Sequence, residues 1–119
     1  MEYKLRDYYA GVVRKFEGTL LSEATKGSQD IGRSYHMFLF ECAENEPKRF
    51  VLYIVAYEED ENGKPQIDPD GSSFRTARDV DDLHAKMFDH WPKSRLSRSV
   101  WSKAAAKRSD IADYVDGIV

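Results

Sequence analysis

The eight residues at positions 50–57, F-V-L-Y-I-V-A-Y, constrain the fold more than any other part of the chain. Aromatic and β-branched residues dominate this run, which predicts a strand. Alternate side chains of a strand point to opposite faces, so Tyr53, Val55 and Tyr57 share one face. A sheet with one face in water has polar residues at every second position, and this run has none. Both faces must therefore be covered, by helices of the same chain or by another molecule.

A second strand-like run precedes this one. Residues 35–41 are again rich in aromatic side chains, and a polar connection with a proline, residues 44–49, joins the two runs. Two such runs with a short polar loop predict an antiparallel hairpin. Asn62-Gly63 is a favoured turn, after which a short third strand over residues 65–68 is expected at the edge of the sheet because it begins with proline.

The N-terminal segment has apolar residues at helical spacing. Five of them recur at steps of three or four: Leu5, Tyr9, Val12, Phe16 and Leu20. This spacing predicts a helix. Gly11 and Gly18 would each cost about 1 kcal/mol inside it. The alternative is a pair of short strands over residues 9–21 that turn near Gly18.

Helices are expected after the sheet. Asp79 or Asp81 would cap a helix that ends before Pro92, and residues 97–116 fit a second helix with an interruption near Ser109. The predicted fold class is α+β. One domain over residues 1–119 would combine an N-terminal helix, an antiparallel two- to three-stranded meander and two C-terminal helices packed on the sheet.

Composition indicates the compartment. The chain has 119 residues and a single cysteine, Cys42, so it cannot form an internal disulfide, and a reducing, cytoplasmic location is expected. Its start lacks the apolar run of a secretory signal. The longest apolar stretch is far shorter than the roughly 20 residues that span a bilayer, so no membrane partner is expected.

Charge is unevenly distributed. Residues 41–70 contain nine acidic and three basic residues, whereas residues 93–108 contain six basic residues and no acidic one. Lys and Arg neutralise phosphates and an aromatic ring can stack on a base, so the basic stretch is a candidate nucleic-acid contact. The candidate residues there are Arg95, Arg98, Trp101, Lys103, Lys107 and Arg108. A solvated helix face is the simpler interpretation, since the whole chain is acidic.

No pattern indicates catalysis, a metal or a cofactor. None of the standard nucleophile, nucleotide or redox motifs occurs. Cys42 directly follows a predicted strand, where a lone cysteine usually packs as a small apolar side chain. His84 and His90 are six residues apart, which does not match the i, i+4 pair of a zinc helix. An enzyme with an unrecognised site remains an alternative, but the sequence favours a non-enzymatic protein.

The leading functional hypothesis is a small accessory protein that binds another macromolecule, either a protein partner or a second copy of itself as a homodimer. Inhibitors, immunity proteins and adaptors of this size act by occupying a surface. Aromatic residues inside a charged rim are typical of such contacts. The predicted interaction residues are Tyr53, Val55 and Tyr57, with Glu58, Glu59 and Glu61 as the rim. A nucleic-acid-binding module using residues 93–108 is the alternative from a different class.

Overall fold

The computed structural model describes residues 1–28, 33–89 and 95–114. Within them, five strands precede three short helices: β1 (Glu2–Asp7), β2 (Val12–Ser28), β3 (Arg33–Cys42), β4 (Phe50–Glu59), β5 (Pro65–Ala77), α1 (Val80–Phe88), α2 (Arg95–Ala105) and α3 (Ser109–Ala112). The strands form one antiparallel sheet in chain order. The sheet is so strongly coiled that β1 approaches β5.

The predicted N-terminal helix is wrong, because residues 2–28 are almost entirely strand. Period-two alternation explains why. In β1 the charged Glu2, Lys4 and Arg6 are exposed, whereas Tyr3 and Leu5 between them are partly buried. This alternation is the pattern of a half-exposed strand. The alternative of two strands was closer, but their turn lies at residues 8–11 and Gly18 is inside β2.

Strand β2 belongs to two hairpins. Its residues 12–17 pair with β1, and its residues 18–28 pair with β3. Gly18, at the junction, has no room for a side chain, since an added Cβ would lie 2.3 Å from the carbonyl oxygen of Glu41. A bulge between Leu20 and Ser22 then exchanges the two faces of the strand. We call residues 1–17 the arm. They include the β1–β2 hairpin, which continues past the point where Gly18 pairs with Cys42, the last residue of β3.

The helices cover one face of the sheet. Met37, Leu39, Leu52 and Ile54 on that face are almost fully buried. They form one core with apolar side chains from the three helices: Leu83, Met87, Leu96, Val100, Ala104 and Ile111. Burial of each of the larger side chains among them, Leu, Ile, Met or Val, stabilises the fold by about 1.5–3 kcal/mol.

The arm covers the opposite face. Phe16 packs edge-on against Phe40 with ring centroids 5.2 Å apart, and Tyr3 packs against the same ring at 4.7 Å. Phe16 also approaches Phe74 of β5 at 6.1 Å. The second apolar face of the central strands is therefore buried against the N-terminal hairpin of the same chain.

The central hairpin forms as predicted, from β3 and β4 in antiparallel register. The predicted size of the sheet is wrong, since it has five strands rather than two or three. The third strand does not end at Asp68 but continues to Ala77, with an irregularity opposite Ile54 and Ala56. The turn formers after Asp68 make a large bulge within β5, because β4 continues to offer hydrogen-bonding partners beyond it.

The prediction of two C-terminal helices is wrong, because the described residues form three short helices. Asp79 caps α1, its side chain accepting a hydrogen bond from the backbone N–H of Asp82 at 2.8 Å. The predicted interruption near Ser109 is the break between α2 and α3. The expected helix end before Pro92 and the residues after Tyr114 lie outside the described residues. In the described part of the chain no helix is long and apolar enough to span a membrane.

Candidate functional site

The β4 face that the sequence indicated as an interaction surface lies beneath the arm. Tyr53 is 7% exposed and Val55 5%. The Tyr53 hydroxyl donates a hydrogen bond to the backbone carbonyl of Arg6 at 2.6 Å. Burial, with Tyr8 and Tyr57 nearby, raises the pKa of Tyr53 to about 12. Tyr53 and Val55 are thus core residues, and no second subunit is needed to cover this part of the sheet.

The other predicted interaction residues remain accessible. Tyr57 is half-buried at the end of the same face, beyond the core residues. Glu58 forms an exposed ion pair with Arg33, and the hydrogen bond between them raises the pKa of Arg33. Glu59 and Glu61 are exposed. The three glutamates are therefore accessible, whereas Tyr53 and Val55, the predicted centre of the surface, are inside the protein.

The loop between β4 and β5, with the flanking strand ends, makes one end of the molecule acidic. Residues 58–70 include six acidic residues and one basic residue, Lys64, which is a balance of −5. Asp60 fixes the loop by accepting hydrogen bonds from the backbone N–H groups of Asn62 and Lys64. Gly63 at the turn has a φ of 77°, which only glycine adopts without strain.

The tip of the arm is built around Asp7. Its carboxylate accepts a hydrogen bond from the backbone N–H of Ala10 at 3.0 Å, and its carbonyl accepts one from Gly11 at 2.8 Å. Arg14 forms an ion pair with the same carboxylate at 3.3 Å. These contacts hold a four-residue loop that leaves Tyr9 73% exposed.

Between this tip and the β5 bulge lies a cleft of about 350 Å³, which we call the acidic cleft. Its walls are Asp7 and Tyr9 from the arm and residues 70–75 from β5. The exposed carboxylate of Asp70 forms no ion pair or hydrogen bond with any described residue. Of its two carboxylates only that of Asp70 is exposed, because Asp7 is 6% exposed and paired with Arg14, and Arg75 also lines the cleft. An accessible aromatic ring beside an exposed carboxylate can bind a cationic side chain by charge attraction and by contact with the ring face.

Next to the acidic cleft, the uncovered end of the arm-side face carries a second apolar group, which we call the aromatic patch: His36, Phe38, Tyr57 and Ile67. Tyr57 and Ile67 are directly paired across β4 and β5. His36 stacks on Phe38 with ring centroids 3.9 Å apart and contacts Glu23 at 3.1 Å. Ile67 is 37% exposed, so the patch reaches the surface.

The structure distributes the candidate nucleic-acid residues over different environments. Arg95, Arg98, Lys103 and Lys107 are exposed, and Lys103 donates to the carbonyl of Glu23 at 3.0 Å. Trp101 packs against Phe88, with ring centroids 5.8 Å apart, and against His84 and Tyr114.

Arg108 is the exception among these cations because it is largely buried. It pairs with Glu41 and Asp110 over the ring of Phe50, and its hydrogen bond to Asp110 raises the pKa of Arg108 and lowers that of Asp110. The predicted set thus divides into an exposed part on and after α2 and two side chains, Trp101 and Arg108, that hold the helices in place.

Groups with metal or nucleophilic chemistry are not assembled into a site in the described residues. No three His, Cys, Asp or Glu side chains there are grouped to hold a metal ion. Burial, with Glu46 and Glu41 nearby, raises the pKa of Cys42 to about 11, so its thiol is neutral near pH 7. A neutral thiol is a poor nucleophile, and Cys42 instead packs as a small apolar side chain.

The arm and, with it, the acidic cleft were not predicted from the sequence. Tyr9 was assigned to a helix stripe, whereas Asp70 lies beyond the predicted third strand, and 61 positions separate the two. One available signal was the alternation E-Y-K-L-R at residues 2–6, which indicates a strand. Nothing in the local sequence pairs that strand with the β5 bulge.

Comparisons with known proteins found no match: no protein-family model fits this chain, and neither a curated protein nor a solved structure is similar to it.

Proposed function

We propose that this protein is a non-enzymatic accessory protein that binds a basic segment of another protein. The observation that carries the proposal is the acidic cleft, in which exposed Tyr9 faces the β5 bulge and the carboxylate of Asp70 is left without a partner among the described residues. Aromatic residues that bury large area at low entropic cost, set within a charged rim, are the usual anatomy of a protein contact.

Charge complementarity defines the partner's chemistry. The acidic end around the cleft has a balance of −5 over residues 58–70, although the whole chain carries only −3. Such a concentrated field attracts a basic partner and accelerates its association. A Lys or Arg side chain would enter the acidic cleft, and apolar neighbours of that side chain would rest on the aromatic patch at Tyr57 and Ile67. Glu58, Glu59 and Glu61 would form the rim predicted from the sequence.

Fluorescence anisotropy with a labelled synthetic peptide tests this proposal. The peptide alternates arginine with leucine, and its twin replaces every arginine by glutamate. The protein is expected to bind the basic peptide, more weakly as ionic strength rises, and not the acidic twin. No binding of the basic peptide at low ionic strength, or equal binding of the two peptides, would overturn the proposal.

Matched variants locate the contact. Tyr9→Ser removes the exposed ring of the cleft and is expected to weaken binding about tenfold, as truncation of a central interface aromatic does. Val13→Ser makes a comparable change at a 55% exposed residue whose position alternates with inward-facing Phe16, so it points away from the sheet and should leave affinity unchanged. Equal losses of affinity in the two variants would show that the arm binds the peptide nonspecifically and that Tyr9 is not a specific contact.

A charge pair separates the cleft from overall electrostatics. Asp70→Asn and Asp113→Asn remove the same charge, one inside the cleft and one beyond α3. Only the first should weaken peptide binding, by about two- to fivefold for a largely exposed ion pair. If both variants weaken binding equally, the acidic field acts without the cleft and the proposed site is wrong.

A further inference from the structure

A second cavity lies on the other side of the arm, at the opposite end of the arm-side face. It has a volume of about 400 Å³ and is bounded by the first residues of β2, the β3–β4 loop and the last residues of β5. We call it the basic pocket. Cavities of a few hundred cubic ångströms are of the size that holds small organic ligands.

The floor of the basic pocket is apolar. Phe16, Val51 and Phe74 line it, and all three belong to or pack on the core beneath the arm. Cys42 extends this surface, because its neutral thiol behaves as a small apolar group. An aromatic or short alkyl body placed here would contact packed rings and the branched side chain of Val51, with half-buried Thr76 as the polar residue beside them.

The rim of the basic pocket carries three cations and one carboxylate. The cations are Arg14, Lys15 and Lys48, and the carboxylate is Glu46. Glu46 is already engaged, since it accepts a hydrogen bond from the backbone N–H of Glu17 at 2.9 Å.

The three cations differ in their partners. Arg14 contacts Asp7 at 3.3 Å and Lys15 contacts Glu2 at 3.4 Å. About half or more of each of these two cationic side chains is exposed. Lys48 forms no ion pair with a residue in the described ranges. Two of the three rim cations are thus paired with carboxylates, and Lys48 is the cation left over.

We propose that the basic pocket binds a small amphipathic anion, in which one carboxylate, sulfonate or phosphate group is attached to an aromatic or short alkyl body. The anionic group would lie beside Lys48 at the rim, and the apolar body would lie on Phe16 and Phe74. Phe74 lines both this pocket and the acidic cleft, but the proposed anion contacts neither Tyr9 nor Asp70, so its binding can be tested independently of the protein partner.

Anilinonaphthalene sulfonate is a suitable probe because it joins an anionic group to aromatic rings and fluoresces when its rings leave water. Its parent, N-phenylnaphthylamine, has the same rings without the sulfonate. Titration of the folded protein is expected to show saturable binding of one sulfonate probe per chain, and weaker binding of the parent by about three- to tenfold, the contribution of a partly exposed charge contact.

Two variants with the same change of charge locate the binding. Lys48→Glu alters the rim, whereas Lys64→Glu alters an exposed lysine in the β4–β5 loop. Only Lys48→Glu should lower the affinity for the sulfonate probe, by about tenfold, because attraction is replaced by repulsion. The affinity for the uncharged parent should not change in this variant. Thermal melts of both variants establish that each is folded.

Alkylation of Cys42 gives a second readout inside the basic pocket. A bound sulfonate probe should slow the reaction of this only thiol with N-ethylmaleimide in the folded protein, and less so in Lys48→Glu. Absence of saturable binding, equal affinity for the two probes, equal effects of the two lysine variants, or no protection of Cys42 would each overturn the proposal.

Discussion

The hydroxyl of Ser72 replaces a missing backbone partner in the sheet. The β5 bulge interrupts the ladder after Ile54, so the backbone N–H of Ala56 donates to the Ser72 hydroxyl at 2.9 Å instead of to a strand carbonyl. The same hydroxyl donates to the carbonyl of Asp68 at 2.8 Å and so closes the bulge on itself. Ser72→Ala removes both hydrogen bonds and little volume.

The cost follows from burial. Ala56 and Ser72 are each 3% exposed, so water cannot reach the N–H that the variant leaves unpaired. An unsatisfied buried donor costs about 1–3 kcal/mol, and the Asp68 carbonyl, which is half-buried, adds less because water can replace the lost donor. We expect Ser72→Ala to lower the free energy of unfolding by about 2 kcal/mol and the melting temperature by roughly 6–10 °C.

Urea denaturation followed by circular dichroism measures this difference, with Ser73→Ala as the matched control. Ser73 is half-buried beside Ser72, and its hydroxyl forms no hydrogen bond with any described residue. The control should change stability by less than about 0.5 kcal/mol. If the two variants lose equal stability, the Ser72 hydroxyl is not the partner of Ala56 and the account of the bulge is refuted.

Three further outcomes are expected. Gly18→Ala should lower the free energy of unfolding by about 1–3 kcal/mol in urea titration, because its Cβ would overlap the carbonyl oxygen of Glu41. Iodoacetamide should alkylate Cys42 slowly near neutral pH, with a rate that keeps rising toward about pH 11, since only the thiolate reacts. Asp82→Asn should lose stability near neutral pH, and the difference from wild type should shrink in acid. The hydrogen bond from the Arg78 N–H lowers the pKa of Asp82 below its ordinary 3.8, so the ionised form stabilises the fold above that pH and the benefit is lost as pH falls through the lowered pKa.

Each of these has a control within the chain. Thr19→Ala, next to Gly18 and exposed, should be nearly neutral, and equal losses at the two positions would contradict the steric explanation. In urea, Cys42 should react with the pH profile of an ordinary thiol, which levels off near 9. Asp81→Asn removes an exposed neighbouring charge of the same helix turn. A similar acid dependence in that variant would assign the effect to the helix dipole rather than to the hydrogen bond.

Local sequence was sufficient for the central hairpin and for α1. The aromatic and β-branched residues of β4 indicate a strand in almost any context. Asp79 caps α1 by a hydrogen bond with a backbone N–H only three residues away. These features depend on interactions within a few residues, which a sequence pattern contains. The requirement that both faces of β4 be buried was also evident from the sequence.

What buries the second face was decided only by tertiary structure. The five apolar residues from Leu5 to Leu20 fit helical spacing, yet Leu5 and Phe16 meet the same core from two paired strands. Gly18 permits the close approach to β3, and the bulge at Leu20 exchanges the faces of β2. Neither effect is encoded in periodicity, because each depends on the strand alongside.

The candidate sites differ in the same way. The acidic residues of 58–70 were visible as a charged segment, but a cleft requires Tyr9 opposite Asp70, and the basic pocket requires Arg14 near Lys48. By itself the sequence determined which segments are apolar, charged or turning, since those are properties of neighbouring residues. The folding of the arm over the sheet decided which distant residues share a cavity, because it is stabilised by contacts between segments that are remote along the chain.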